Sequence, residues 1–396
     1  MRILIFNPSY PPVACGVGAY TRGLAQALVR AGHDVTVITG AASTTTTDGP
    51  PRVLPPLRNW GVREFLRAWP RFARPRPDVV VSCYPAVVVD GSYVRLLYLI
   101  PGLAKALLGR PRTVFVVHEF IRADEHEHRL LGLALLAADR IVAVTEAERD
   151  AIVTRYPSVA ARTVVRHNPS TVPVAAPDPQ ADARMRAALA PQERPVIGFI
   201  GLLWAATKGF EELLEALAGT DALLVATGAL DPANPYQAHV AAQIERLGLG
   251  ERVRWLGFIG DDEAGRLLRV VDAVVLPYRS GAESGYTSLL GALVNGAAVI
   301  TTRGPQTPAW LRDGETALLV DPEDPVMLAS AIDHLLSNER LAAQVRAGAR
   351  GLSFGWDEIV QAVVAPGGRR RARHSRPGRA PRSLGVLRNL LSRRRE

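Results

Sequence analysis

The sequence predicts an α/β protein built from two Rossmann-like, doubly wound domains that face each other across a cleft. Three observations carry that expectation. The chain has 396 residues, too many for one ordinary hydrophobic core. Short apolar runs alternate with helical patterns of ten to fifteen residues, as in βαβ units. The alternation stops near residue 169 and restarts near 196.

Residues 2–6 (RILIF), 34–39 (DVTVIT), 78–82, 113–117 (TVFVV) and 140–144 (RIVAV) are expected as strands, and 164–166 ends the first half. They lack polar alternation, the mark of parallel strands covered on both faces. Between the first two, residues 17–31 space their apolar side chains helically and Gly32 stops the helix, completing one βαβ unit. Residues 169–195 are rich in Pro, Ala and Asp, a linker with room for one short helix. The second set of strands is expected at 196–200, 222–227, 253–256, 273–276, 298–302 and 317–320, with helices at 209–217, 261–270, 287–294 and 325–336. The domains are therefore drawn as 1–172, 173–365 and a tail, 366–396.

The net charge of +9 belongs to that tail, where eleven arginines stand against one glutamate; the preceding 365 residues carry −1. The body of the protein gives no electrostatic reason to expect nucleic acid. The tail is most simply a disordered, solvated segment. Its functional alternative is a basic arm, ending in the apolar stretch 384–391 (LGVLRNLL), that adheres to an anionic membrane surface. Two cysteines, Cys15 and Cys83, form no disulfide framework and suit a reducing, cytoplasmic compartment. No leader-like segment opens the chain. The greasiest run, 96–109, contains Pro101 and Lys105 and is too short to span a bilayer.

Four places carry candidate chemistry. Residues 7–20 (NPSYPPVACGVGAY) join the first strand to the first helix, and Gly16 and Gly18 let backbone approach a phosphate at a helix start. The dinucleotide fingerprint is absent, because its third glycine position is Thr21. His118 follows the strand TVFVV directly, at the sheet edge where doubly wound folds bind ligands. Its neighbour Glu119 is either a ligand contact or a helix cap, and His126 and His128 are expected to be solvated. Lys208 stands out by composition: of 47 basic residues only Lys105 and Lys208 are lysines, and a compact ammonium suits a diphosphate. Last, RSGAESG (279–285) precedes a helix. Glu283 there can accept from sugar hydroxyls, while Ser284, Gly285, Tyr286 and Thr287 offer hydroxyls or N–H groups to phosphate. No residues fall at convincing metal-ligand spacing.

At these residues the chain resembles the family-4 type of retaining glycosyltransferase, which has the GT-B fold. The likeness runs from Met1 to about Val364 through CGVGAYTRGLAQALVRAGHDVTVIT, His118, RIVAVTEAERD, HNP (167–169), FIGLLWAATKGFEELLEAL, PYRSGAESGYTSLLGALVNGAAVITT and DGETALLVDPEDP. It implies transfer of a sugar from a nucleotide-diphosphate sugar to a glycan or lipid-linked acceptor, with retention, no cofactor and no catalytic metal. Lys208 would neutralise the leaving diphosphate with help from the Gly16–Gly18 backbone. Glu283 would contact the transferred sugar, and His118 would support its charge-developing ring.

The chain departs from the family pattern at three places. Leu202 and Trp204 stand where an arginine accompanies the lysine, Gly291 stands at the second glutamate of the E-x7-E pair, and GPQTPA (304–309) lacks a carboxylate. The last helix crossing back to the first domain is expected to be only partly supplied by residues 356–364. A catalytically silent sugar- or nucleotide-binding protein on the same scaffold is the alternative function. A nicotinamide enzyme is disfavoured by the missing fingerprint and the missing ribose-binding acid.

Overall fold

The computed structural model describes residues 1–13, 15–40, 49–57, 60–85, 95–190, 194–203, 206–228 and 230–365. The basic tail and Trp204 lie outside them.

Seven strands form the first sheet: β1 (Arg2–Phe6), β2 (Asp34–Gly40), β3 (Arg52–Leu57), β4 (Val79–Tyr84), β5 (Arg112–Val117), β6 (Arg140–Ala143) and β7 (Thr163–Val165). All pairings are parallel, in the order β3-β2-β1-β4-β5-β6-β7. Six more form the second: β8 (Val196–Phe199), β9 (Leu223–Ala226), β10 (Val253–Trp255), β11 (Ala273–Leu276), β12 (Val299–Thr302) and β13 (Leu318–Val320). They are again parallel, in the order β10-β9-β8-β11-β12-β13. Each sheet thus reverses its winding once, between β1 and β4 and between β8 and β11. Ligand crevices of doubly wound folds open at such reversals, beyond the carboxyl ends of the strands.

The strands are continuous apolar runs because both faces are buried. Ile3 and Ile5 point into one layer with Leu24 and Leu28 of the helix Gly16–Arg30, while Leu4 and Phe6 point into the other. A single core joins the second sheet to its helices, from Phe199 and Phe210 through Val274 to Ile332.

Sequence reasoning missed β3, whose RVLPPL contains two prolines. Proline cannot donate to a ladder and is tolerated at sheet edges, and β3 is an edge strand. It also gave no structure to the greasy run, which folds as the helix Arg95–Leu107 with Pro101 inside.

The chain crosses back to the first sheet over the stretch expected to supply it. The helix Asp357–Val364 buries Ile359 and Val363 against the first sheet. The Arg112 guanidinium holds its last carbonyls, those of Val363, Val364 and Ala365. Trp356 packs against Gly23, where a Cβ would stand 2.2 Å from the indole.

Candidate functional site

A cavity of about 250 Å³ lies where loops from both sheets meet. Its first-sheet wall begins after β1. Asn7 is fully buried and ties the loop together, accepting from Ser9 N at 2.9 Å and donating to Thr21 Oγ1 at 2.5 Å. The helix Gly16–Arg30 then starts with no side-chain cap, and a Cβ on Gly16 would meet nothing within 4 Å. Gly16 therefore presents bare backbone to the cavity. Gly18 does not: it is buried, and a Cβ there would stand 2.8 Å from Ser9 O. Its lack of a side chain lets the helix close on its own loop.

His118 leaves the end of β5, its N–H bonded to Tyr84 O at 2.9 Å. Its ring meets Tyr20 edge-on at 4.5 Å, and Nε2 is buried without a partner. Burial pushes its pKa down to about 4, against an upward pull from Asn168, so the imidazole is neutral at neutral pH. The neutral ring lines the cavity beside Asn168. Asn168 also has an unpaired buried Oδ1, and its Nδ2 donates to Gly285 O at 3.1 Å.

The second-sheet wall starts with a short 3-10 turn, Ala206–Lys208, after β8. Gly209 closes the turn at φ 66°, where a Cβ would fall 1.8 Å from Pro277 O; no other residue fits. This places Lys208 Nζ 5.0 Å from the Tyr278 ring centre and 4.7 Å from that of Tyr286, cation–π distances for both. Its pKa is lowered by burial first and then by the Arg122 charge, with Glu119 and Glu283 opposing.

Arg279 ties this turn to the loop after β11. Its N–H donates to Thr207 O at 3.2 Å, and its guanidinium reaches Glu212 at 2.7 Å and Glu211 at 3.2 Å. Glu283 accepts from Tyr286 Oη at 3.3 Å and lies 3.8 Å from Arg122 of the first lobe. The helix Thr287–Val294 then begins with neither an acidic residue in its first turn nor a side-chain cap. Its free N–H groups and its dipole favour an anion there.

Of the residues singled out from sequence, the fold gathers Gly16, His118, Lys208, Glu283, Gly285, Tyr286 and Thr287 on one cavity. Ser284 is buried beside it and Gly18 behind it. The expected solvation of His128 is corrected: its Nε2 lies 2.9 Å from Phe120 O and its ring packs on Phe120. Sequence reasoning missed Tyr20, Arg122, Glu148 and Ser288 on the lining and gave Asn168 no role there. Only Glu148 left a signal, the spacing Thr145-x-x-Glu148 of a capping box.

Two family models cover most of the chain: Glycosyltransferase Family 4 matches residues 14–170 and Glycosyl transferases group 1 matches residues 181–351. The chain belongs to these glycosyltransferases. A D-rhamnosyltransferase, WbpZ of Pseudomonas aeruginosa, is 34% identical over 139 residues, 35% of either chain. The D-inositol 3-phosphate glycosyltransferase of Mycobacterium ulcerans is 28% identical over 269 residues, 64% of this chain and 57% of that one. The matched segments span between about a third and just over half the length of such relatives. Among solved structures, sucrose-phosphate synthase from Thermosynechococcus elongatus superposes with a TM-score of 0.71 at 21% identity, covering 91% of this chain and 96% of that one. HepE of Anabaena, solved in complex with UDP-glucose, gives 0.71 at 20%, covering 92% and 98%. At such identities the likeness concerns the fold, which is GT-B.

Within this glycosyltransferase the three departures acquire a setting. Leu202 is partly exposed after β8. Gly291 faces the linker: a Cβ there would stand 3.1 Å from Val172 Cγ2 and 3.7 Å from Ser170 Oγ. The stretch 304–309 turns on a bond from Gly304 N to Thr307 Oγ1 at 2.8 Å and brings Gln306 to the cavity.

Proposed function

We propose that this glycosyltransferase moves a sugar from a nucleotide-diphosphate sugar to a glycan or lipid-linked acceptor, with retention and without a bound metal. The observation that carries this is the seat of Lys208, against the stacked rings of Tyr278 and Tyr286 and beside an uncapped helix N-terminus, with Glu283 and His118 on the same cavity. The diphosphate would lie on Lys208 and the N–H groups of Thr287 and Ser288, with Gly16 opposite. Glu283 would accept from hydroxyls of the transferred sugar, and His118 Nε2 would bond a further hydroxyl beside the reacting carbon. The bond from the anomeric carbon to the diphosphate oxygen breaks with its electron pair going to the diphosphate. The acceptor oxygen bonds to the same face of that carbon, and its proton passes to the departing oxygen. Charge complementary to the leaving group comes from Lys208 and the helix N-terminus.

The test is a binding and turnover screen of the full chain against UDP-, GDP-, ADP- and dTDP-sugars. At least one donor is expected to bind and to be slowly hydrolysed. Glu283→Gln should lower turnover of that donor about ten- to hundredfold, as loss of a charge-assisted hydrogen bond does. Binding without turnover would favour the silent binding protein, and no binding by any donor would defeat both.

We also infer a cytoplasmic enzyme that works peripherally on an anionic membrane. No described helix is long and apolar enough to cross one. What supports docking is a helical face of the first lobe. Leu99, Leu107, Leu133 and Leu136 are exposed on the adjacent helices Arg95–Leu107 and Glu125–Ala137. Arg63, Arg67, Arg71, Arg74 and Arg76 are exposed beyond β3. Among the described residues none of these arginines has a carboxylate within 4 Å, and Arg76 reaches Gly109 at the end of the first of those helices. Basic residues near an anionic surface gain about 1 kcal/mol each. Reversing Arg67, Arg71 and Arg74 to Glu should cut sedimentation with phosphatidylglycerol vesicles at least tenfold. Deletion of residues 366–396 separates the tail's share, and unchanged sedimentation of both variants would reject docking.

A further inference from the structure

Thr145 and Glu148 have the spacing of a capping box, in which the glutamate side chain returns to the cap's own N–H. Thr145 performs its half, accepting from Glu148 N at 3.1 Å at the start of the helix Glu146–Arg155. The Glu148 carboxylate is diverted. It is almost wholly buried, 7% exposed, and its Oε2 accepts from Ile121 N at 3.1 Å, in the loop after β5. The Phe120 N–H is turned to it as well. The same loop is held from its other side, where His128 Nε2 lies 2.9 Å from Phe120 O and Tyr156 Oη anchors His128 O at 2.6 Å. Held this way, the loop carries Glu119 and Arg122 to the cavity. The Arg122 guanidinium stands 3.9 Å from Glu119 and 3.8 Å from Glu283 across the cleft.

A residue needed only to fill space here would be apolar, because burying a carboxyl is costly unless its bonds are used. A residue needed only to close its helix would bond the cap. Glu148 does neither and lines the cavity itself. We infer that Glu148 is a positioning residue, whose ionised carboxylate fixes the Phe120–Ile121 backbone and thereby sets the reach of Arg122 toward Glu283. The consequence for catalysis rests on the function proposed above; the device itself does not.

The device is sensitive to pH. Burial pushes the Glu148 carboxyl up to about 7, the N–H groups of Ile121 and Phe120 pull it back, Glu119 adds to the rise and Arg122 opposes it. The charged groups around it are Glu119 and Arg122 on the loop and Glu146 on its own helix, and the titratable group on the facing helix is His128. Above about 7 the carboxylate accepts the Ile121 N–H as an anion. Below that value it is neutral, that bond weakens, and the loop loosens.

The test uses the full chain without any donor, so that failure of the sugar chemistry cannot be confused with failure of this device. Amide hydrogen exchange of residues 118–123, corrected for the intrinsic rate, should be about tenfold faster at pH 6 than at pH 8 in the wild type. Glu148→Gln, which keeps the shape but cannot titrate, should abolish that dependence. It should also remove a carboxyl infrared band titrating near 7. Protection that is independent of pH in the wild type, or a dependence retained in Glu148→Gln, overturns the proposal.

Discussion

Replacing Lys208 by alanine should lower sugar-nucleotide turnover by two to three orders of magnitude while leaving the thermal midpoint nearly unchanged. The size follows from what the ammonium does. Preorganised charge aimed at a departing group in a partly dry site is worth about 2.7–4 kcal/mol in the transition state. Lys208 is pre-placed, held at 5.0 and 4.7 Å from two tyrosine ring centres on a turn whose next residue, Gly209, tolerates no side chain. No carboxylate neutralises it within 4 Å among the described residues. Among the described residues the second lobe supplies no other cation to the lining, and in the sequence Leu202 and Trp204 stand where the family pattern has an arginine. Arginine should not rescue, because its planar fork is larger than the ammonium and differently shaped for a seat against this stacked tyrosine pair. Steady-state release of the nucleotide, compared with a melting curve, checks this. A loss smaller than tenfold would remove Lys208 from the leaving-group site.

Restoring the family's second glutamate should do harm. Gly291→Glu is expected to destabilise the protein by several kcal/mol and to weaken nucleotide binding. Gly291 is buried in the helix Thr287–Val294 and faces the linker, with Val172 Cγ2 only 3.1 Å from where a Cβ would stand. That linker is pinned. Asn295 accepts from Ala175 N at 3.3 Å and donates to Pro173 O at 3.3 Å and Gly291 O at 2.9 Å. A glutamate would overpack the site, at about 1–3 kcal/mol, and would leave a carboxylate buried without a partner, at several more. A fall in thermal midpoint, with no gain in affinity for UDP or GDP, is the expected result. An unchanged midpoint with tighter nucleotide binding would show that the linker yields and that the position still serves the ribose.

Much of the fold was legible in the sequence because its signals are local. Apolar runs such as RILIF and TVFVV, without polar alternation, mark strands covered on both faces. Gly32, at φ 82°, marks the end of the first helix, a backbone shape that glycine adopts without strain. Lys208 announced itself through a nearly lysine-free composition, and Glu283 through its place before a helix. What the sequence could not decide was which loops meet. His118 and Gly16 reach Lys208 and Glu283 only because both sheets turn their carboxyl edges to one cavity, and that depends on a linker and a returning helix whose contacts lie hundreds of residues away. The returning helix is an example: Trp356 and Ile359 pack on the first sheet through Gly23 and a shared core, which no periodicity encodes. The same holds for Gly18, which looked like a ligand contact and instead seats its helix on Ser9. Glu148, three residues after the capping Thr145, spends its carboxylate on a neighbouring loop. Propensity and period act over a few residues, so the sequence by itself determined the elements and the chemical types available. Packing between distant segments decided which of those groups face one another.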